Sequence, residues 1–173
     1  MLKRKVYQEL LKWKENTEGK ALCIIGARQI GKTTLIREFG KNEYEHFAEI
    51  NFVTDEKAAD IFKDKLTAEA IITNLTAYLQ KPLEPGKTLI LFDEVQECPA
   101  VRSAIKFLVE DGRFDYIEAG SLLGVRYKEV KSYPVGFEQI LPMYPLDFEG
   151  RDRAMCRESS CFYQSENLSS GQI

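Results

Sequence analysis

The chain has 173 residues and a formal net charge of −3, with 44% hydrophobic and 29% charged residues. That is room for one domain with a full core, or for one domain plus a tail, and the mild negative charge argues against broad non-specific binding to nucleic acid while leaving a local patch open. No apolar run approaches the length of a membrane span, and the start, Met1-Leu2-Lys3-Arg4-Lys5, leads into a charged amphipathic segment instead of a signal peptide.

Residues 3 to 16 carry a helical stripe of Val6, Leu10, Leu11 and Trp13, and Lys3, Arg4, Lys5, Lys12 and Lys14 make this N-terminal segment, 1–18, basic. Such a helix packs its stripe on the domain and leaves its lysines in water. The sharper reading is a surface for an acidic partner or nucleic acid. Glu18-Gly19 turns the chain into Ala21-Leu22-Cys23-Ile24-Ile25, a buried strand.

The next eight residues, Gly26-Ala27-Arg28-Gln29-Ile30-Gly31-Lys32-Thr33, match G-x-x-x-x-G-K-[ST] at every fixed position. Thr34 opens a helical apolar pattern that is expected to stop at Gly40. Strand, glycine loop and helix in that order suit a polyphosphate. The helix start supplies free N–H groups and the positive end of its dipole, and the glycines let the backbone curl closely. Lys32 would reach the β- and γ-phosphates, and Thr33 would place its hydroxyl on Mg²⁺.

Residues 45 to 52 roughly alternate, with His46, Ala48, Ile50 and Phe52 on one face, which suits a strand nearer the sheet edge and a packing role for His46. Thr54 is expected to cap the following helix, with Asp55 and Glu56 in its first turn. A second helix runs from about 67 to 80 on Ile71, Ile72, Leu75, Tyr78 and Leu79, and Lys81-Pro82-Leu83-Glu84-Pro85-Gly86 is a turn.

Leu89-Ile90-Leu91-Phe92 forms a strand buried on both faces, as in a parallel sheet, and ends in Asp93 and Glu94. Behind a phosphate loop, such a pair has a distinct job. Asp93 would hold Mg²⁺ through its water shell and Glu94 would polarise the attacking water. Parallel strands present ligands at their carboxyl ends, so both motifs fall on one sheet edge.

Pro99 opens a helix with Val101, Ala104, Ile105 and Leu108 inward and Asp111-Gly112 as its stop. Residues 114 to 121 form a strand that delivers Ser121 to the same edge, either to sense the γ-phosphate or to cap a helix. Residues 135 to 146, with Pro142 and Pro145, allow only a short or edge strand. From Gly150 the chain turns serine-rich and charged without apolar period, so 150–173 reads as a poorly ordered polar tail. Four cysteines, Cys23, Cys98, Cys156 and Cys161, lack C-x-x-C spacing, and His46 is the only histidine. Reduced thiols in a cytoplasm therefore fit better than a zinc site.

The blocks GARQIGKTTLIREFG, TLILFDEVQECPA, EAGSLLGV and SYPVGFEQILPMYPLDFE resemble a family of prokaryotic AAA+-like P-loop ATPases over roughly residues 1–149. The resemblance implies an α/β fold, a three-layer P-loop NTPase core at 19–149 with a mainly parallel sheet. Its Walker A and Walker B strands are separated by one strand. It also implies that Gly26, Gly31, Lys32 and Thr33 belong to Walker A, Asp93 and Glu94 to Walker B, and Ser121 to the sensor position. The binding stretch would be Gly26, Ala27, Arg28, Gln29, Ile30, Gly31, Lys32, Thr33 and Thr34. Lys32, Glu94 and Ser121 would be catalytic, and Thr33 and Asp93 would bind the metal. In the family a helical lid and a C-terminal domain follow. Here Gly150-Arg151-Asp152-Arg153 departs from that pattern, as a frameshifted or truncated reading frame would. The function expected is ATP binding and Mg²⁺-dependent hydrolysis in a truncated ATPase domain. The alternatives are a small-molecule P-loop kinase and a nucleotide-binding remnant without turnover. A protein or nucleic-acid partner and a homo-oligomer stay open, and Arg28, Arg113 and Arg126 are available as arginine fingers without one being singled out.

Overall fold

The computed structural model describes residues 5–15, 19–63, 66–121 and 136–145. The chain falls into two compact units, Met1–Met143 and Tyr144–Ile173, and the description below is of the first. The expectations for the 150–173 tail, for Cys156 and Cys161 and for Arg126 lie outside the described residues.

In order, the elements are α1 (Lys5–Glu15), β1 (Ala21–Gly26), α2 (Lys32–Glu43), β2 (His46–Asn51), a 3-10 helix (Glu56–Phe62), α3 (Ala68–Leu79), β3 (Thr88–Asp93), a short 3-10 turn (Val95–Glu97), α4 (Pro99–Asp111), β4 (Asp115–Ser121) and β5 (Glu138–Met143). The five strands form one sheet in the order β2-β3-β4-β1-β5, and every pairing is parallel. β1 and β3, which carry the two motifs, are thus separated by β4. The expected α/β core is present.

Both faces of the sheet are apolar because the central strands are apolar at successive positions, which alternate between faces. Ile90 and Phe92 point to one layer with Ile71, Ile72 and Leu75 of α3 and Val101, Ala104, Ile105 and Leu108 of α4. Leu89 and Leu91 point to the other, with Leu10 and Trp13 of α1 and Leu35, Ile36 and Phe39 of α2. Hence the three layers. The packing of the α1 stripe is as expected: it is covered, Trp13 Nε1 donates to the carbonyl of Lys20 at 3.0 Å, and Lys12 stays in water beside Glu9. Lys14, by contrast, is half-buried, donating to the carbonyl of Glu43 and lying over the Tyr44 ring.

Helix boundaries follow local chemistry. Thr67 caps α3 by accepting from the N–H of Ala70, Pro99 occupies the first turn of α4, and Gly112 ends α4 with φ 71°. Three expectations are corrected. α2 runs through Gly40 to Glu43; Gly40 is instead the place where Phe47 packs, a Cβ there lying 2.3 Å from Phe47 Cδ2. The 3-10 helix after β2 is capped by Asp55, which accepts from the N–H of Lys57, not by Thr54. His46 does not pack: it sits at the exposed start of an edge strand, 3.0 Å from Glu84.

Candidate functional site

The carboxyl ends of β1, β3 and β4 lie side by side, since Gly26 pairs with Ser121 and Asp93 with Ala119 in the parallel register. The stretch from Gly26 to Thr34 leaves β1, turns, and enters the first turn of α2. Two residues in that turn have left-handed backbones, Gln29 (φ 63°) and Gly31 (φ 85°), and the second suits glycine. Gly26 is required for another reason. A Cβ there would meet the carbonyl oxygen of Met143 at 2.3 Å and Ile30 Cδ1 at 2.7 Å, so the start of the loop is pressed against the end of β5.

Ala27, Arg28, Gln29 and Thr34 are exposed, whereas Lys32 is only 7% exposed. The Lys32 ammonium bends back over its own loop and donates to the carbonyls of Ala27 at 2.7 Å and Gly26 at 3.1 Å. Burial pushes its pKa below the usual lysine value, and the negative charges of Glu94 and Asp93 oppose that shift. α2 has no acidic residue of its own in its first turn, so the negative charge that faces the positive end of its dipole comes from β3.

Thr33 and Asp93, 60 positions apart, meet here: Thr33 Oγ1 donates to Asp93 Oδ2 at 3.0 Å. The same oxygen accepts from Asn51 Nδ2 at 3.0 Å, and Asp93 Oδ1 accepts from the N–H of Glu94 at 3.0 Å. Asp93 is only 3% exposed, and burial raises its pKa; the Thr33 hydrogen bond opposes the rise and the charge of Glu94 adds to it. The carboxylate is therefore held by hydrogen bonds in a place that favours an added cation.

Glu94 has a left-handed backbone, φ 56° and ψ 45°, which costs about 1 kcal/mol for a residue with a side chain. Gln96 Nε2 donates to Glu94 Oε2, and Gln96 Oε1 accepts from the N–H of Ser121 at 3.4 Å. Ser121 itself is buried at the last position of β4. The predicted residues from Gly26 to Thr34, with Asp93, Glu94 and Ser121, thus share one sheet edge. Asn51 and Gln96 join them. Asn51 was not expected as a site residue, and its available signal is a polar side chain at the carboxyl end of a strand; Gln96, two positions past Glu94, is the residue that with Asp93 and Glu94 fits hydrolysis better than transfer to a small acceptor. Arg28 is exposed near Lys32, and Arg113 is engaged by Asp111 at 2.7 Å.

A family model described as an AAA domain matches residues 18–150, the stretch that contains all of these positions. The chain belongs to the AAA domain family. Comparison with curated proteins gave no match. Among solved structures, this AAA domain is similar to one of Drosophila ORC bound to AT-rich DNA and Cdc6. The identity is 12% and the TM-score 0.51, covering 92% of this chain and 63% of that one. It is also similar to the Pif1 helicase from Candida albicans, at 14% identity and a TM-score of 0.52, covering 91% and 43%. The chain spans less than two thirds of either solved chain. At such identities the likeness is one of fold, the P-loop nucleoside triphosphatase sheet. No helix among the described residues of the AAA domain is long and apolar enough to cross a membrane.

Proposed function

We propose that the chain binds ATP together with Mg²⁺ and transfers the terminal phosphoryl group to water. One observation carries the reading: Thr33 at a helix start and Asp93 at a strand end share a hydrogen bond across 60 residues of chain. A hydroxyl and a carboxylate in contact are a hard-oxygen donor pair that suits Mg²⁺. When bound, Mg²⁺ supplies neutralisation of charge on the β- and γ-phosphates.

The chain's own residues do the rest. Gly26 to Thr34 offers backbone N–H groups and the positive end of α2 to the phosphates. Lys32 rests on two carbonyls that are weaker acceptors than a phosphate oxygen, so a bound phosphate would compete for its ammonium. Glu94, an acceptor-only carboxylate, takes a proton of the attacking water in a hydrogen bond and so aims its lone pair. Ser121 brings a hydroxyl to the same edge from β4. A cytoplasmic setting agrees with the free, buried thiols of Cys23 and Cys98.

The test is phosphate release with and without Mg²⁺, alongside ATP titration. Lys32→Ala is expected to lower turnover by about a hundredfold or more and to weaken ATP binding. Glu94→Gln is expected to lose turnover by about a hundredfold or more while still binding ATP, because only the group that orients water is lost. Binding without release in the unaltered chain would instead mark a nucleotide-binding remnant, and a phosphorylated small acceptor in place of free phosphate would mark a kinase. A chain indifferent to ATP and Mg²⁺ would end the reading altogether.

A further inference from the structure

The side chain of Gln96 takes no part in the reading above, yet it ties together two of the elements that do. It sits in the 3-10 turn Val95–Glu97 directly after β3. Its amide nitrogen donates to Glu94 Oε2, and its amide oxygen accepts from the N–H of Ser121. These two partners demand the same orientation of the amide. A carboxylate only accepts and a backbone N–H only donates, so a flipped amide would lose both bonds. Glutamine is suited to the bridge because it carries a donor and an acceptor on one planar group at the end of a three-bond stem. Asparagine is one methylene shorter, and glutamate has no donor.

The register makes the span short. Asp93 pairs with Ala119, so Glu94 lies one residue past the end of β3 and Ser121 two residues past that pairing point on the adjacent strand. A glutamate side chain on a turn has three rotatable bonds, and the hydrogen bond from Gln96 selects one setting among them. We propose that Gln96 is a positioning residue that ties the carboxylate of Glu94 to the carboxyl end of β4, so that turnover depends on where that strand end stands. The inference rests on the hydrolytic reading, in which Glu94 aims the water. A shift of the Ser121 backbone is then felt at Glu94 through two hydrogen bonds.

The experiment uses the full chain with ATP and Mg²⁺ and reads steady-state phosphate release, ATP affinity and the thermal midpoint. Gln96→Ala is expected to lower kcat about tenfold or more while KM and ATP affinity stay within about twofold. Gln96→Glu keeps an acceptor for the Ser121 N–H but sets a second carboxylate against Glu94, and the same loss is expected. In a Glu94→Gln background, Gln96→Ala is expected to change the single-turnover rate by less than about twofold, because the group it positions is gone. An unaltered kcat in Gln96→Ala or in Gln96→Glu would overturn the inference while leaving hydrolysis standing. So would an equal loss in both backgrounds, or a fall in thermal midpoint matched by a loss of ATP affinity. An unaltered chain that releases no phosphate overturns both readings.

Discussion

Glu118, in the middle of β4, is completely buried, and no hydrogen bond of ordinary geometry reaches its carboxylate oxygens among the described residues. Its surroundings are ionic: Arg102 of α4 lies 3.7 Å away, and Glu138 of β5 and the Cys23 thiol of β1 are close by. Burial pushes the pKa of Glu118 up to about 8. The neighbouring charge of Glu138 adds to the rise, and Arg102 opposes it. Its pKa in the unfolded chain is near the ordinary value of about 4.3, so between about pH 4.5 and pH 8 the folded state holds more proton than the unfolded one. Stability from this group is therefore full below that window and is lost as pH rises through it. Glu118→Gln is expected to flatten the dependence and to gain stability over the unaltered chain as pH climbs from about 5 to about 8. Thermal midpoints measured across that range check it, and parallel curves for the two proteins would refute it.

At the scale of elements, the contact of α2 with β2 depends on one missing methylene. Gly40 lies inside α2, where alanine would ordinarily gain about 1 kcal/mol in helix propensity. The ring of Phe47 occupies the space a Cβ would need, with Cδ2, Cε2 and Cγ at 2.3, 2.8 and 2.9 Å. Overpacking of this kind costs about 1–3 kcal/mol, so the clash outweighs the propensity gain. Gly40→Ala is expected to be destabilising by about 1 kcal/mol in denaturant unfolding, and a rise in stability would contradict this account. The neighbouring ion pair of Arg37 with Glu49, two contacts of 2.6 Å, ties the same two elements together on the exposed side. Its contribution is small, because both partners meet water.

For the molecule as a whole, Arg102 ties one helix to three strands of the sheet. From α4 it reaches Glu138 of β5 with two contacts at 2.9 and 2.7 Å, Cys23 of β1 at 3.5 Å, and Glu118 of β4. Replacing it with leucine would fill much of the volume but leave the buried carboxyl groups of Glu118 and Glu138 side by side without their guanidinium partner. Arg102→Leu is therefore expected to cost about 3–5 kcal/mol. The check is equilibrium unfolding of that variant beside Arg102→Leu/Glu118→Gln/Glu138→Gln, in which replacing both carboxyl groups by amides is expected to restore much of the loss. Equal instability in the two would show that packing, not charge, is what Arg102 supplies.

The sequence alone determined what depends on neighbours along the chain. The periodicities of α1, α3 and α4, the doubly buried run of β3, Pro99 at the start of a helix and Gly112 at its end are local facts, and so is the strand–loop–helix order around Gly31. Tertiary structure decided the rest, because parallel strands joined by helical crossovers bring together residues whose separation in sequence carries no signal. The Thr33–Asp93 contact spans 60 positions, Asn51–Asp93 spans 42 and Gln96–Ser121 spans 25. Gly40 looked like a helix stop because glycine favours such stops locally. Its place inside α2 follows from Phe47, a residue on another element, whose ring leaves room there for a hydrogen and nothing larger.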